Sequence, residues 1–178
     1  FGIEIQKDGS PALKVTRTLR LPKQPHRVGG RHDLYSTISV RNPSADPRRV
    51  VVTARGGLGV KAIDPRTDDR FIDIGVSTAT GHLVGTRTLE NGVAAKQSVQ
   101  LFAWSRAEPE KRLSWAASAN TYFTCTIAPT ARVGSGPAPY ITEVSAVDVD
   151  GSPDTGDDTT LRFVSIAEAV APGATLPY

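Results

Sequence analysis

Residues Val28 to Ile63 read VGGRHDLYSTISVRNPSADPRRVVVTARGGLGVKAI, and this stretch decides the fold class. Leu34, Ile38 and Val40 alternate with Tyr35, Thr37 and Ser39, the period-2 pattern of a half-buried strand. Asn42-Pro43-Ser44-Ala45-Asp46-Pro47 is dense turn chemistry. Asparagine and aspartate side chains bond nearby backbone there, and proline fixes φ. Val50-Val51-Val52-Thr53 then resumes β-branched extension. The stretch therefore predicts a strand, a tight turn and a second strand, and it carries no obvious reactive group.

Working outward, the same grammar repeats. Gly2 to Gln6 alternates weakly before a turn at Lys7-Asp8-Gly9-Ser10-Pro11, and Ala12 to Leu21 reads as a strand with interleaved cations. Further strands are predicted at 71–76, 82–89, 95–106, within 113–127, at 140–149 and at 161–170. Only 165–171 and part of 116–120 carry weak helical signals. The 16 Gly and 13 Pro are spread along the chain, as turns between short strands require. These features predict an all-β fold, an antiparallel Ig-like β-sandwich, with an eight-stranded jelly roll as the alternative.

A length of 178 residues suits one domain. The expected organisation is a single β-sandwich over 1–178, with 1–27 an N-terminal strand extension and 159–178 a C-terminal strand and tail. The chain contains no methionine. It is therefore expected to be a processed product or part of something longer, with a secretory signal or further domain preceding Phe1.

The charge balance excludes some classes of function. Twenty-one basic and 18 acidic residues leave a net charge of +3, too weak to argue for specific nucleic-acid binding. Basic residues lean toward the N-terminal half and acidic ones gather near the C-terminal end. Such polarity suits head-to-tail stacking of identical subunits, or else solvated turns of opposite sign. No stretch approaches the roughly 20 apolar residues of a membrane helix. The lone cysteine, Cys125, lies in an extended run and reads as a small buried hydrophobe.

Three segments in order resemble one family. They are Arg27-Val28-Gly29-Gly30 through Ser39-Val40-Arg41-Asn42 to Val50-Val51-Val52-Thr53; Thr88 to Ala94 with Val99-Gln100-Leu101; and Ile141 to Ala146 with Asp148 to Asp154. Together they are similar to the Ig-like repeat of bacterial and archaeal cell-surface proteins, conserved domain of unknown function number eleven. The resemblance spans about Val28 to Asp158. The chain departs from the pattern in a longer loop at Asp64 to Arg70, a longer Trp-bearing region at Trp104 to Ala119, and Ala54-Arg55-Gly56-Gly57 after the second strand. The resemblance implies a structural or adhesive module, with no catalytic or cofactor-binding residue to carry over.

Asp148, Asp150, Asp154, Asp157 and Asp158 are the best candidates for a site. Alternating aspartates among glycines suit Ca²⁺, a hard cation that takes six to eight oxygens. The run lacks the terminal bidentate glutamate of an EF-hand, and a solvated turn is the competing reading. His26, His32 and His82 lack the fourth ligand of a zinc site. Gly56-Gly57-Leu58-Gly59 lacks the lysine and helix of a phosphate loop. Trp104 and Trp115, with Phe102, Tyr122 and Phe123, form either a carbohydrate-stacking face or part of the core. Arg41, Arg48 and Arg49 read as exposed turn arginines or contacts to phosphate.

The expected function is a non-enzymatic module that builds or decorates an extracellular or cell-surface assembly. Its partners would be copies of itself or other subunits, reached through strand edges and the loops 64–70 and 129–139. The alternatives are a virion capsid, protrusion or decoration subunit, and a calcium-dependent or carbohydrate-binding module.

Overall fold

The computed structural model describes residues 2–7, 10–21, 34–56, 71–88, 98–119, 124–129, 140–148 and 159–178. For 2–7, 10–11 and 86–88 only the backbone is described. Among the described residues all regular elements are strands, and every strand pair is antiparallel. The weak helical signals lose to tertiary pairing. Residues 116–119 belong to a strand spanning Arg112–Ala119, and Glu168–Val170 is a strand as well.

The chain divides into two compact units, residues 1–50 with 167–178 and residues 51–166. The divisions fall at Val50/Val51 and Ile166/Ala167. The second unit is therefore an insertion into the first.

The first unit contains β1 (Gly2–Lys7), β2 (Ser10–Arg20), β3 (Tyr35–Arg41) and β14 (Thr175–Pro177) in one sheet, order β1-β2-β3-β14. A separate pair joins β4 (Arg48–Val50) to β13 (Glu168–Val170). The expected hairpin across Asn42–Pro47 does not form. The strands on either side of that turn separate: β3 pairs with β2 and β14, and β4 pairs with β13. The segment read as a Pro/Gly tail is ordered strand and turn. Ala171-Pro172-Gly173-Ala174 closes with Ala174 N–H donating to Ala171 C=O at 3.0 Å, and Gly173 has φ +72°. That is a type II turn, with proline presetting the first central φ and glycine supplying the positive second one.

The second unit holds two four-stranded sheets. One is β10 (Thr124–Ile127), β9 (Arg112–Ala119), β6 (Phe71–Thr78) and β7 (Gly81–Thr88), in that order. The other is β5 (Thr53–Gly56), β12 (Thr159–Ser165), β11 (Ile141–Asp148) and β8 (Ser98–Ala103). Both sheets feed one apolar core of Ile72, Val76, Phe102, Ala116, Ile141, Val144, Ala146, Leu161 and Phe163. Alternate residues of β6 and β12 point into it, which makes the unit a β-sandwich. Along one edge the sheets approach closely: a Cβ built on Gly56 of β5 would meet Ile127 Cδ1 of β10 at 2.8 Å.

Counting β6 as strand A, β12-β11-β8 reproduces the G-F-C order of an immunoglobulin sandwich. In the opposite sheet both hairpins are turned about, so A and D occupy the centre, and β5 is an extra strand beside G. Three consecutive pairs (β6–β7, β9–β10, β11–β12) stay in one sheet as hairpins. A jelly roll instead sends most consecutive strands to opposite sheets.

Candidate functional site

Asn42 is the most completely bonded side chain of the first unit. It ends β3, is fully buried, and serves both neighbouring turns. Its Nδ2 donates to Asp46 C=O at 2.7 Å and to Val170 C=O at 2.9 Å. Its Oδ1 accepts from Ser44 N–H at 3.1 Å and Ser44 Oγ at 2.6 Å, which makes an Asx turn of the Asn-Pro-Ser run. Its backbone N–H donates to Ala174 C=O at 3.0 Å, and its C=O accepts from Gly173 N–H at 2.8 Å. Asparagine alone offers two donors and an acceptor on so short a stem, so this residue fastens β3, β13 and the β13–β14 turn together. Its role is structural. The turn signal in the sequence located it but gave no hint of its partners at the far end of the chain.

On the β5-β12-β11-β8 sheet, Glu143 and Ser145 lie opposite the core-facing set Val144 and Ala146. Arg162 is paired with Ser145 across β11 and β12 and reaches diagonally, Nη2 donating to Glu143 Oε1 at 2.8 Å. Ser145 Oγ donates to the same oxygen at 2.8 Å. Both charged side chains are about one-third exposed. This pair braces the outer face of the sheet, and its partial exposure keeps its energetic weight small.

Of the five aspartates proposed for calcium, only Asp148 lies among the described residues. It ends β11 opposite Thr159, so residues 149–158 connect the β11–β12 hairpin. Asp150, Asp154, Asp157 and Asp158 lie outside the described residues. No group of three or more His, Cys, Asp or Glu that could hold a metal ion occurs among the described residues.

The aromatic residues do not share one face. Phe102 is buried in the core and Trp104 packs against it. Trp104 Nε1 is buried without an acceptor among the described residues. Trp115 points away from the core, as its neighbour Ala116 points into it. Its indole lies on Gly75, the residue opposite it in β6. A Cβ there would sit 2.2 Å from Nε1 and 2.5 Å from Cε2. Asp73 and Ala117 are neighbours on that same face, and Asp73 Oδ1 is buried with no hydrogen-bond partner among the described residues. Tyr122 and Phe123 lie outside the described residues.

Three further expectations need correcting or placing. Cys125 is exposed and free, because β10 is a short strand at the sheet edge. Arg41 belongs to β3, and Arg48 and Arg49 to β4, so these are strand residues, with Arg48 Nε donating to Ser44 Oγ at 3.3 Å. His82 is exposed on β7; His26, His32, Gly57 to Gly59, and the loops 64–70 and 130–139 lie outside the described residues.

The feature that sequence reading missed is the far end of the β2–β3 hairpin. The register of β1 on β2 ends at Thr16, and β14 with Tyr178 reaches β3 only as far as Ile38. Beyond those points Thr18–Arg20 and Tyr35–Thr37 form a two-stranded ribbon with no further strand beside it among the described residues. Leu34, assigned to the buried face by alternation, is exposed there. Arg17 Nε donates to Ser36 Oγ at 3.1 Å, and the Arg20 guanidinium lies 5.8 Å from the Tyr35 ring centroid. No described helix is long and apolar enough to cross a membrane. Compared with known proteins, the chain matches no protein-family profile and no curated sequence.

Proposed function

We propose that this chain is a non-enzymatic structural module that builds or decorates an extracellular or cell-surface assembly through strand edges. The observation that carries the reading is the end of the β2–β3 ribbon at Thr18–Arg20 and Tyr35–Thr37, which holds apolar side chains in solvent with no further strand beside it among the described residues. A bare two-stranded ribbon is marginal in water, and open edges invite strand addition. The polar groups that are well organised, around Asn42 and Glu143–Arg162, brace strands. A virion coat or decoration subunit is the same physical proposal in another setting. Electron microscopy of the concentrated protein tests both: fibres or sheets support the surface assembly, closed shells the virion, and dispersed particles at every concentration contradict either.

A carbohydrate-binding module is the second reading, favoured by the Trp115 indole lying off the core beside Asp73. An indole platform with a neighbouring carboxylate suits a sugar ring and its hydroxyls. A glycan array without hits would remove it.

A further inference from the structure

One face of β2 and β3 is covered at one end and bare at the other. Cross-strand register puts Val15 opposite Val40, Arg17 opposite Ile38 and Leu19 opposite Ser36, three rungs of the same face. One more step, past the last paired rung at Arg20 and Tyr35, puts Leu21 and Leu34 there as well. Val40 is 1% exposed, whereas Leu19, Leu34 and Leu21 are 52%, 57% and 71% exposed. The apolar face is thus longer than the part of it that is buried. Single exposed leucines are ordinary, whereas three on one face at the end of a ribbon mark a contact surface.

The charge around that face is local and mostly of one sign. From Arg17 to Thr37 the sequence has Arg17, Arg20, Lys23, Arg27 and Arg31 against Asp33 alone. Arg17 lies on the leucine face, bonded to Ser36 Oγ. Arg20 is exposed on the reverse face, with its guanidinium 5.8 Å from the centroid of the Tyr35 ring. Lys23, Arg27 and Arg31 lie outside the described residues and enter only through their charge.

This chemistry selects the partner. Ribbon against ribbon would set like charges together. A nucleic acid would take the cations and leave three leucines in water. An anionic membrane surface takes both, with phosphates for the cations and the acyl boundary for the leucines.

We infer that the end of the β2–β3 ribbon docks on an anionic lipid bilayer, leucines in the acyl boundary and cations at the phosphates. Tyr35, with Arg20 on its ring, takes the headgroup level, where amphipathic rings are enriched. Apolar contact and cationic attraction are each weak alone and together hold a reversible peripheral attachment. The inference goes beyond the assembly reading and does not depend on it: lipid takes one face of the ribbon, strand addition its edges.

Vesicle flotation of the intact chain tests it. The chain is expected to float with phosphatidylglycerol vesicles, to stay behind with phosphatidylcholine alone, and to be released by high salt. Leu19→Ser and Arg20→Glu are each expected to weaken flotation by roughly tenfold or more. Both positions are exposed, and unchanged thermal unfolding checks that the variants fold. A second readout uses a polarity-sensitive fluorophore on Leu21→Cys in a Cys125→Ser background. Its emission is expected to shift to the blue on the anionic vesicles, while the same label on exposed Leu83→Cys of β7 does not respond. Flotation that Leu19→Ser leaves unchanged, or equal flotation with phosphatidylcholine, would overturn the inference. Retention on an oligonucleotide column without flotation would overturn it in favour of a nucleic acid. Oligomers that sediment but never float would overturn it and leave the assembly reading intact. A chain that floats yet sediments as a monomer at every concentration would support it and contradict the assembly reading.

Discussion

The two units reach order by different means. The inserted unit is a conventional sandwich in which side chains from both sheets bury one another, with Val144 and Leu161 fully enclosed. Its ends are tied by Ser165 N–H donating to Val52 C=O and Val52 N–H donating to Ser165 Oγ, each at 2.9 Å. The outer unit buries few apolar side chains among the described residues, chiefly Val40, Val50 and Val170, and its turns are held by one asparagine. An apolar core is non-directional and tolerates repacking. A polar clamp is directional and fails when one donor is lost. The unit stabilised by the clamp is also the one that extends an uncovered ribbon.

The largest break in this comparison is Asn42→Asp. It turns two donors toward the carbonyls of Asp46 and Val170 into acceptors and buries a charge. A loss of about 4 kcal/mol is expected from two unsatisfied carbonyls and the desolvated carboxylate. A buried carboxylate titrates above its unfolded value, so the destabilisation is greatest at neutral pH and eases as pH falls through that raised value. Denaturation at neutral and acidic pH checks both size and sign. Hydrogen exchange should show protection lost in 34–50 and 167–178 before 71–78, 112–119 and 141–148. Uniform loss would mean the units are one cooperative body.

Leu161→Ala makes the converse cut. A fully buried leucine reduced to alanine costs about 3 kcal/mol through transfer and cavity terms. Exchange should then rise in the sandwich strands β6, β9, β11 and β12 while β3 and β14 stay protected. Gly75→Ala sharpens the role of the outer face, since the new methyl must displace the Trp115 indole. Roughly 2 kcal/mol is expected from that overpacking, with a red-shifted Trp emission as the indole lifts off. Arg162→Ala is the smallest change. Its pair with Glu143 is one-third exposed, so about 1 kcal/mol or less is expected, falling with added salt.

Strand positions were legible in the sequence, while strand partners were not. Alternation and turn chemistry located β2, β6, β8 and β11 because these depend on neighbours along the chain. The Val50-Val51-Val52-Thr53 run looked continuous, yet β4 ends at Val50 and β5 begins at Thr53, in different units. Nothing local distinguishes those valines. The division is set by β13 and β12, more than 100 residues later. Leu34 shows the same limit: period 2 assigned its face correctly but not whether anything covers it. Neither Asn42's link to Val170 nor the Trp115–Gly75 stack had a local signature, because both depend on which strands meet.

Sedimentation velocity of the intact chain, over a range of concentrations, tests the central claim most directly. Assembly through open strand edges and exposed leucines predicts a mass that rises with concentration. It also predicts a shift toward the monomer in Leu19→Ser. A single monomeric species under every condition would contradict the account.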